Sequence, residues 1–172
     1  MNLKTILTSD NVSEEILKNI NYILTLIPEI KPMIGFNQKH PHHNLDVFMH
    51  TLKALENSKN DYTIRLALLF HDIGKPFSYT EGEVRHFPNH PIVSEEITRK
   101  VLTRLNYEKT VIDEVCYLVK YHDTPIKEED ILKNYYLELK RYEVQRCDTL
   151  AHNPSKNAKR EAYLVKTKKY FK

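Results

Sequence analysis

The doublet His71-Asp72 ends the apolar run Leu66-Ala67-Leu68-Leu69-Phe70, and an imidazole beside a carboxylate in such a place needs compensation. Metal binding would supply it. His50 precedes the pair, and His90, His122 and Asp148 follow at intervals of roughly twenty to thirty residues, each near a helical segment. The pattern reads as ligands gathered from several helices. Imidazole and carboxylate without thiolate suit Mn, Fe, Co, Ni, Zn or, less well, Mg, and do not suit a structural zinc finger. Whether one or two ions bind is left open. Two ions bridged by Asp72 would lower the pKa of a bound water and clamp phosphoryl oxygens during in-line displacement. The expected reaction is hydrolysis of a phosphate ester.

Helical phase says which of these side chains point inward. Ile64, Ala67, Leu68 and His71 share a stripe, as do Val111, Val115, Leu118 and His122. Val144, Cys147, Asp148 and Ala151 share a face, so Asp148 points inward, where a carboxylate is kept only if paired, hydrogen-bonded or metal-bound. His50 borders a polar sector of Asp46, Lys53 and Asn57, with Val47 and Ala54 on its other side, and phase alone leaves it partly exposed. His90 stands before Pro91 at a helix start, where free N–H groups favour anions; it reads either as a ligand close to phosphate or as a plain cap. Lys75 lies one tight turn after the doublet, and reads either as an ammonium over a bound phosphate or as a cation closing a helix.

The elements that must position these residues are helices. Glycines number only three and the apolar residues recur at helical spacing, so the expected fold is all-α. Helices are expected near 13–27 with Ser13 as N-cap, near 44–57 after Asn44, and near 61–71 after Asp61. Further helices are expected near 91–105 opening with Pro91, near 109–122, near 127–135, near 137–152 and near 155–170. The 172 residues, 41% hydrophobic and 28% charged, suit a single domain over 1–172. Within it, residues 1–36 form an N-terminal helix and entry segment, and 155–172 a basic C-terminal helix. No apolar stretch approaches the roughly 20 residues of a membrane span, and no signal-peptide core follows the N-terminus, so a soluble, cytoplasmic protein is expected. Cys116 and Cys147 read as small core hydrophobes.

A net charge of +3 is too small to argue for nucleic acid. The basic stretch from Lys156 to Lys172 reads as a solvated helix face, or else as the contact for an anionic partner. His40-Pro41-His42-His43 reads as a rim or a solvated loop. Tyr135, Tyr136 and Tyr142 read as core-edge residues, Arg146 as a surface cation, and His152 as the end of its helix or an edge of the site.

The string His71-Asp72-Ile73-Gly74-Lys75-Pro76, with His50 upstream and Asp148 downstream, resembles the HD superfamily of metal-dependent phosphohydrolases. Gln38 through Leu52 and His86-Phe87-Pro88-Asn89-His90 are similar to the HD domain attached to bacterial tRNA nucleotidyltransferases and poly(A) polymerases, the likeness covering roughly Tyr22 to His152. The resemblance implies an HD-domain helical bundle with a core metal site of His50, His71, Asp72 and Asp148. His90 and His122 match the extra histidines that hold a second metal in one subgroup, or contact substrate phosphate where one ion binds. Asp72 and Lys75 then carry the catalytic role, with Lys75, His86, His90 and His122 expected to meet the substrate. Asp46 is either a partner orienting His50 or a solvent-facing acid. The sequence lacks a Gly-Ser pair followed by spaced aspartates, so nucleotide addition is not expected and the chain resembles a free-standing HD domain. Such members act on nucleoside phosphates, dinucleoside polyphosphates or cyclic phosphates. The expected partner is therefore a small phosphate ester of nucleotide type, with one or two divalent ions. A non-catalytic module that binds a nucleotide or RNA end through the basic C-terminal helix is the alternative.

Overall fold

A computed structural model describes residues 2–172, and it is all-α; among these residues the only β pairing is an isolated bridge between Thr80 and His86. The helices are α1 (Leu3–Leu7), α2 (Val12–Lys18), α3 (Ile20–Leu26), α4 (Val47–Glu56) and α5 (Tyr62–Phe70). They continue as α6 (His90–Arg104), α7 (Lys109–Lys120), α8 (Glu128–Lys133), α9 (Tyr135–Leu150) and α10 (Ala158–Lys168). Short 3-10 turns occupy Pro28–Met33, Lys75–Phe77 and Pro154–Lys156.

The bundle is organised around α5, buried from Ile64 to Phe70 and packed against α1, α4, α6, α7 and α9. A helix apolar on every side belongs in such a position. Its start is set by Asp61, whose Oδ1 accepts from the Ile64 amide at 3.0 Å. Its end delivers His71 and Asp72 into the centre of the molecule, both buried.

Several sequence expectations are corrected at the N-terminal side. The helix expected over 13–27 is two helices broken at Asn19, whose backbone (φ −110°, ψ 24°) leaves the helical region. Ser13 is not a cap: it lies inside α2, buried, with its hydroxyl donating to the Leu52 carbonyl of α4 at 2.8 Å. The cap of α4 is Asp46 rather than Asn44, its Oδ1 accepting from the Met49 amide at 2.7 Å. Helix α1 was not foreseen; five residues are too few to show a period, and it persists because Leu3, Ile6 and Leu7 are buried. The last expected helix starts later, at Ala158, after the turn at Pro154–Lys156.

Two buried arginines fasten the chain by its carbonyls. Arg65 donates to Leu7 and Ser9 oxygens, each at 2.7 Å, and so ties the end of α1 to α5. Arg141 pairs with Glu138 at 2.9 Å and donates to the carbonyls of Tyr121 (3.2 Å), Thr124 (2.6 Å) and Pro125 (3.1 Å). That second set clamps the turn carrying His122 and Asp123 onto α9, the helix that carries Asp148. Cys116 and Cys147 are buried, and burial pushes their thiols up to about 11 and about 12. Among the described residues no helix is long and apolar enough to cross a membrane.

Candidate metal centre

Five structural segments bring six donors together. His50 comes from α4, His71-Asp72 from the end of α5, His90 from the first turn of α6, His122 from just beyond α7, and Asp148 from the last turns of α9. All six are buried. Asp148 Oδ1 lies 2.8 Å from His50 Nε2 and 3.3 Å from His71 Nε2. Asp72 faces both ways. Its Oδ2 lies 3.4 Å from His50 Nε2 and 3.3 Å from His71 Nε2, while its Oδ1 lies 3.2 Å from His90 Nε2 and 3.5 Å from His122 Nε2.

The other ring nitrogens decide the chemistry. His50 Nδ1 faces the Ala151 carbonyl at 3.1 Å, His71 Nδ1 that of Leu68 at 2.6 Å, His90 Nδ1 that of Phe87 at 3.1 Å, and His122 Nδ1 that of Val119 at 2.6 Å. A carbonyl oxygen only accepts, so each Nδ1 must donate, and each neutral ring then presents a bare Nε2 lone pair inward. Those lone pairs meet: Nε2 of His50 and His71 are 3.3 Å apart, and Nε2 of His90 and His122 are 3.4 Å apart. Two facing acceptors repel, and a proton or a metal cation shared between them removes the conflict. With the rings neutral, as metal ligation requires, two buried carboxylates are set against the single ammonium of Lys75, leaving negative charge for a divalent ion to neutralise; without metal, a proton on His71 takes that place. Among the described residues four overlapping donor groups could hold such ions, and two of them share Asp72: His50, His71, Asp72 and Asp148, and Asp72, His90 and His122; the others are His122, Asp123 and Asp148, and His43, His50 and His152.

Titration follows the same geometry. Burial by itself would discharge His71, but the Asp72 and Asp148 carboxylates outweigh it and raise its titration well above the ordinary histidine range. Burial likewise opposes charge on His122, where Asp123 and Asp72 prevail and raise it. For Asp72 burial would favour the neutral acid, yet His71 and Lys75 hold the group well below the usual carboxylate range. Asp148 behaves alike under His152, His50 and His71.

Lys75 is buried against this cluster, its Nζ 3.3 Å from Asp72 Oδ2 and donating to Gln38 Oε1 at 2.6 Å, 4.9 Å from the centroid of the Phe87 ring. His86 stands at the exposed rim of the chamber above the donors. His50 departs from its phase: it is fully buried, because the end of α9 and the His43 and His152 rings cover its polar side. Asp46 caps α4, and the Ala151 carbonyl orients His50 instead. His90 is more than a cap, since its Nε2 reaches Asp72.

Asp123 and Ser94 escaped the sequence reading, and His43 was read only as part of a rim or solvated loop. Asp123 Oδ2 lies 3.5 Å from His90 Nε2 and 3.7 Å from His122 Nε2, and the repeat of the His-Asp doublet at 122–123 was the available signal. His43 is packed 4.4 Å, ring to ring, from His152, with a buried Nδ1 that lacks a hydrogen-bond partner; nothing in the sequence distinguishes it from His40 and His42. Ser94 accepts from the Gly74 amide through Oγ at 2.8 Å, and only glycine fits there. A Cβ on Gly74 would lie 2.6 Å from the Ser94 nitrogen and 2.9 Å from the His90 carbonyl oxygen. His152 settles as an edge of the site, its Nδ1 donating to the Asp148 carbonyl at 2.7 Å, and burial lowers its titration to about 4.

The chamber over the donors encloses about 180 Å³ and opens into a groove of about 510 Å³ between α9 and α10. His42, Asp123 and Arg160 line both.

Comparison with known proteins gives the chain's family. The chain is 33% identical over 132 residues to the CC-adding tRNA nucleotidyltransferase of Thermus thermophilus, a match covering 71% of the chain and 30% of that protein. It is 31% identical over 123 residues to the A-adding tRNA nucleotidyltransferase of Deinococcus radiodurans, covering 67% of the chain and 28% of that protein. It is 28% identical over 129 residues to a multifunctional CCA protein of Pseudomonas fluorescens, covering 73% and 31% respectively. The chain thus spans less than a third of the length of these relatives. The family model for the HD domain matches residues 42–163, a span that contains all six clustered donors, and the chain belongs to the HD domain family.

Proposed function

We propose that this chain is a metal-dependent phosphohydrolase that cleaves a phosphomonoester or phosphodiester bond of a nucleotide or related compound. The observation that carries the reading is the set of four histidines whose Nδ1 protons are committed to backbone carbonyls, leaving four Nε2 donors around two carboxylates. His50, His71, Asp72 and Asp148 would hold one ion, and Asp72, His90 and His122, with Asp123 beside them, a second. When bound, divalent ions supply Lewis acidity toward phosphoryl oxygens and a nucleophile at neutral pH.

The residues themselves do the positioning. Lys75, fixed by Gln38 and Asp72, holds a positive charge at the wall of the chamber, where it is suited to a phosphoryl oxygen. His152, neutral at pH 7, lines the same chamber without adding charge to it. The chamber is small, so a reacting group bound there lies close to the donors.

Asp72→Ala tests the proposal, because Asp72 alone touches both donor groups. The variant is expected to lose bound metal and the release of phosphate from a generic aryl phosphate; full activity in a folded Asp72→Ala protein refutes the reading. The likeness to tRNA nucleotidyltransferases favours a second reading, a non-catalytic module that binds a nucleotide or RNA end. It requires nucleotide binding that persists in metal-free protein, with no phosphate released.

A further inference from the structure

The chamber over the donors, at about 180 Å³, has the volume of roughly six waters, which a phosphoryl group and its ions would fill. The remainder of a nucleotide must lie elsewhere. The adjoining groove, at about 510 Å³, falls within the ordinary range of small-molecule sites, roughly 300–1,000 Å³. Its wall is preorganised: Tyr163 donates through its hydroxyl to Gln145 Oε1 at 2.7 Å and accepts from the Ile126 amide at 2.8 Å, and Gln145 donates to the Thr124 carbonyl at 2.8 Å.

Its charge is the informative feature. Lys156, Lys159 and Arg160 all line the groove, and Arg160 also lines the chamber. Among the described residues no ion pair or side-chain hydrogen bond engages these three cations, whereas Arg141 and Arg146 on α9 are each bound to a glutamate. The acids that face the groove, Asp123 and Asp148, belong to the histidine cluster. Three cations are more than the single reacting phosphate, already facing Lys75, requires.

We propose that the groove between α9 and α10 is a second anion subsite, built from Lys156, Lys159 and Arg160, and that the substrate is a phosphate ester carrying a further phosphate on its far side. This inference rests on the phosphohydrolase reading and names its substrate class. Two sources share the chemistry: a nucleoside bisphosphate, and the phosphodiester backbone of a short oligonucleotide.

The test is the ratio of kcat/KM for adenosine 3′,5′- and 2′,5′-bisphosphates to that for the corresponding adenosine monophosphates, with a 5′-phosphorylated dinucleotide as a third arm. The wild-type protein is expected to prefer a substrate carrying the second phosphate by about ten- to a hundredfold, the range for hydrogen bonds to charged groups. That preference should collapse in Lys156→Ala/Lys159→Ala, both exposed positions that are not expected to disturb folding. Preference for the bisphosphates assigns the groove to a small nucleotide, and preference for the dinucleotide alone assigns it to a backbone phosphate. Lys166→Ala/Lys169→Ala removes the same charge from α10 and its end, away from the groove; an equal loss of preference there would mean diffuse attraction and overturn the subsite. Monophosphate hydrolysis without any preference overturns the subsite alone. Absence of hydrolysis on every ester removes the phosphohydrolase reading and this inference together.

Discussion

Gly74→Ala is the most demanding single test of how the site is held together. The added Cβ would sit 2.6 Å from the Ser94 backbone nitrogen and 2.9 Å from the His90 carbonyl oxygen, both main-chain atoms of α6 that cannot rotate aside. Ordinary contact begins at 3.4 Å, so the turn after the doublet and the start of α6 must separate by about 0.8 Å. Overpacking of this kind costs about 1–3 kcal/mol, and the stretched bond from the Gly74 amide to Ser94 adds about 1 kcal/mol, giving about 2–4 kcal/mol. The same separation moves His90 from Asp72, now 3.2 Å apart. Metal ligands tolerate about 0.2 Å, so binding at the His90–His122 side should weaken by at least about tenfold, while the His50–His71–Asp148 side is largely spared. Thermal unfolding and manganese titration calorimetry of wild type and variant read the two effects. A variant that melts with the wild type and takes up manganese with the same stoichiometry and affinity would show that this close approach does not set the geometry of the centre.

Arg141→Met leaves Glu138 charged and buried and frees three carbonyls, so thermal denaturation should register a loss of about 3–5 kcal/mol; an unchanged melting temperature would show that the clamp is dispensable. Proton uptake by the metal-free cluster gives a second measurement. The folded-state titration of His71 lies well above the usual value, so a proton occupies the cluster at neutral pH and must leave when metal enters. Metal binding should therefore release protons at pH 7 and weaken as pH falls, starting above the roughly 6.5 of an unperturbed histidine. Calorimetry in two buffers of different ionisation enthalpy reads the release, and identical heats in both would refute it.

The sequence disclosed the chemistry of this site better than its boundaries. Helical phase aimed His71, His122 and Asp148 inward because each continues an apolar row on its own helix. It missed the burial of His50, since the cover comes from residues about a hundred positions away, at Ala151 and His152, and periodicity within α4 carries no information about them. Helix caps were legible at Asp61, where a short acidic side chain precedes a long apolar run. They were not legible at Ser13, whose hydroxyl serves a tertiary contact instead. Asp123 escaped, and His43 and the groove cations were read only as a rim or loop and as part of a basic stretch, for one reason: their relevance depends on which turns meet in space. Arg160 illustrates it, reading as one basic residue among many until α10 is placed beside the chamber.

The carbonyls that orient the histidines differ in how far along the chain they lie. His71, His90 and His122 each use the oxygen three residues earlier, whereas His50 reaches to Ala151. Three rings are therefore aimed by their own local turns, and a thermal fluctuation that loosens the packing leaves each ring's orientation on its own segment almost intact. The fourth locks only when the end of α9 docks. Metal capture can begin on a partly assembled receptor, and α4 joining α9 becomes the final latch that closes it.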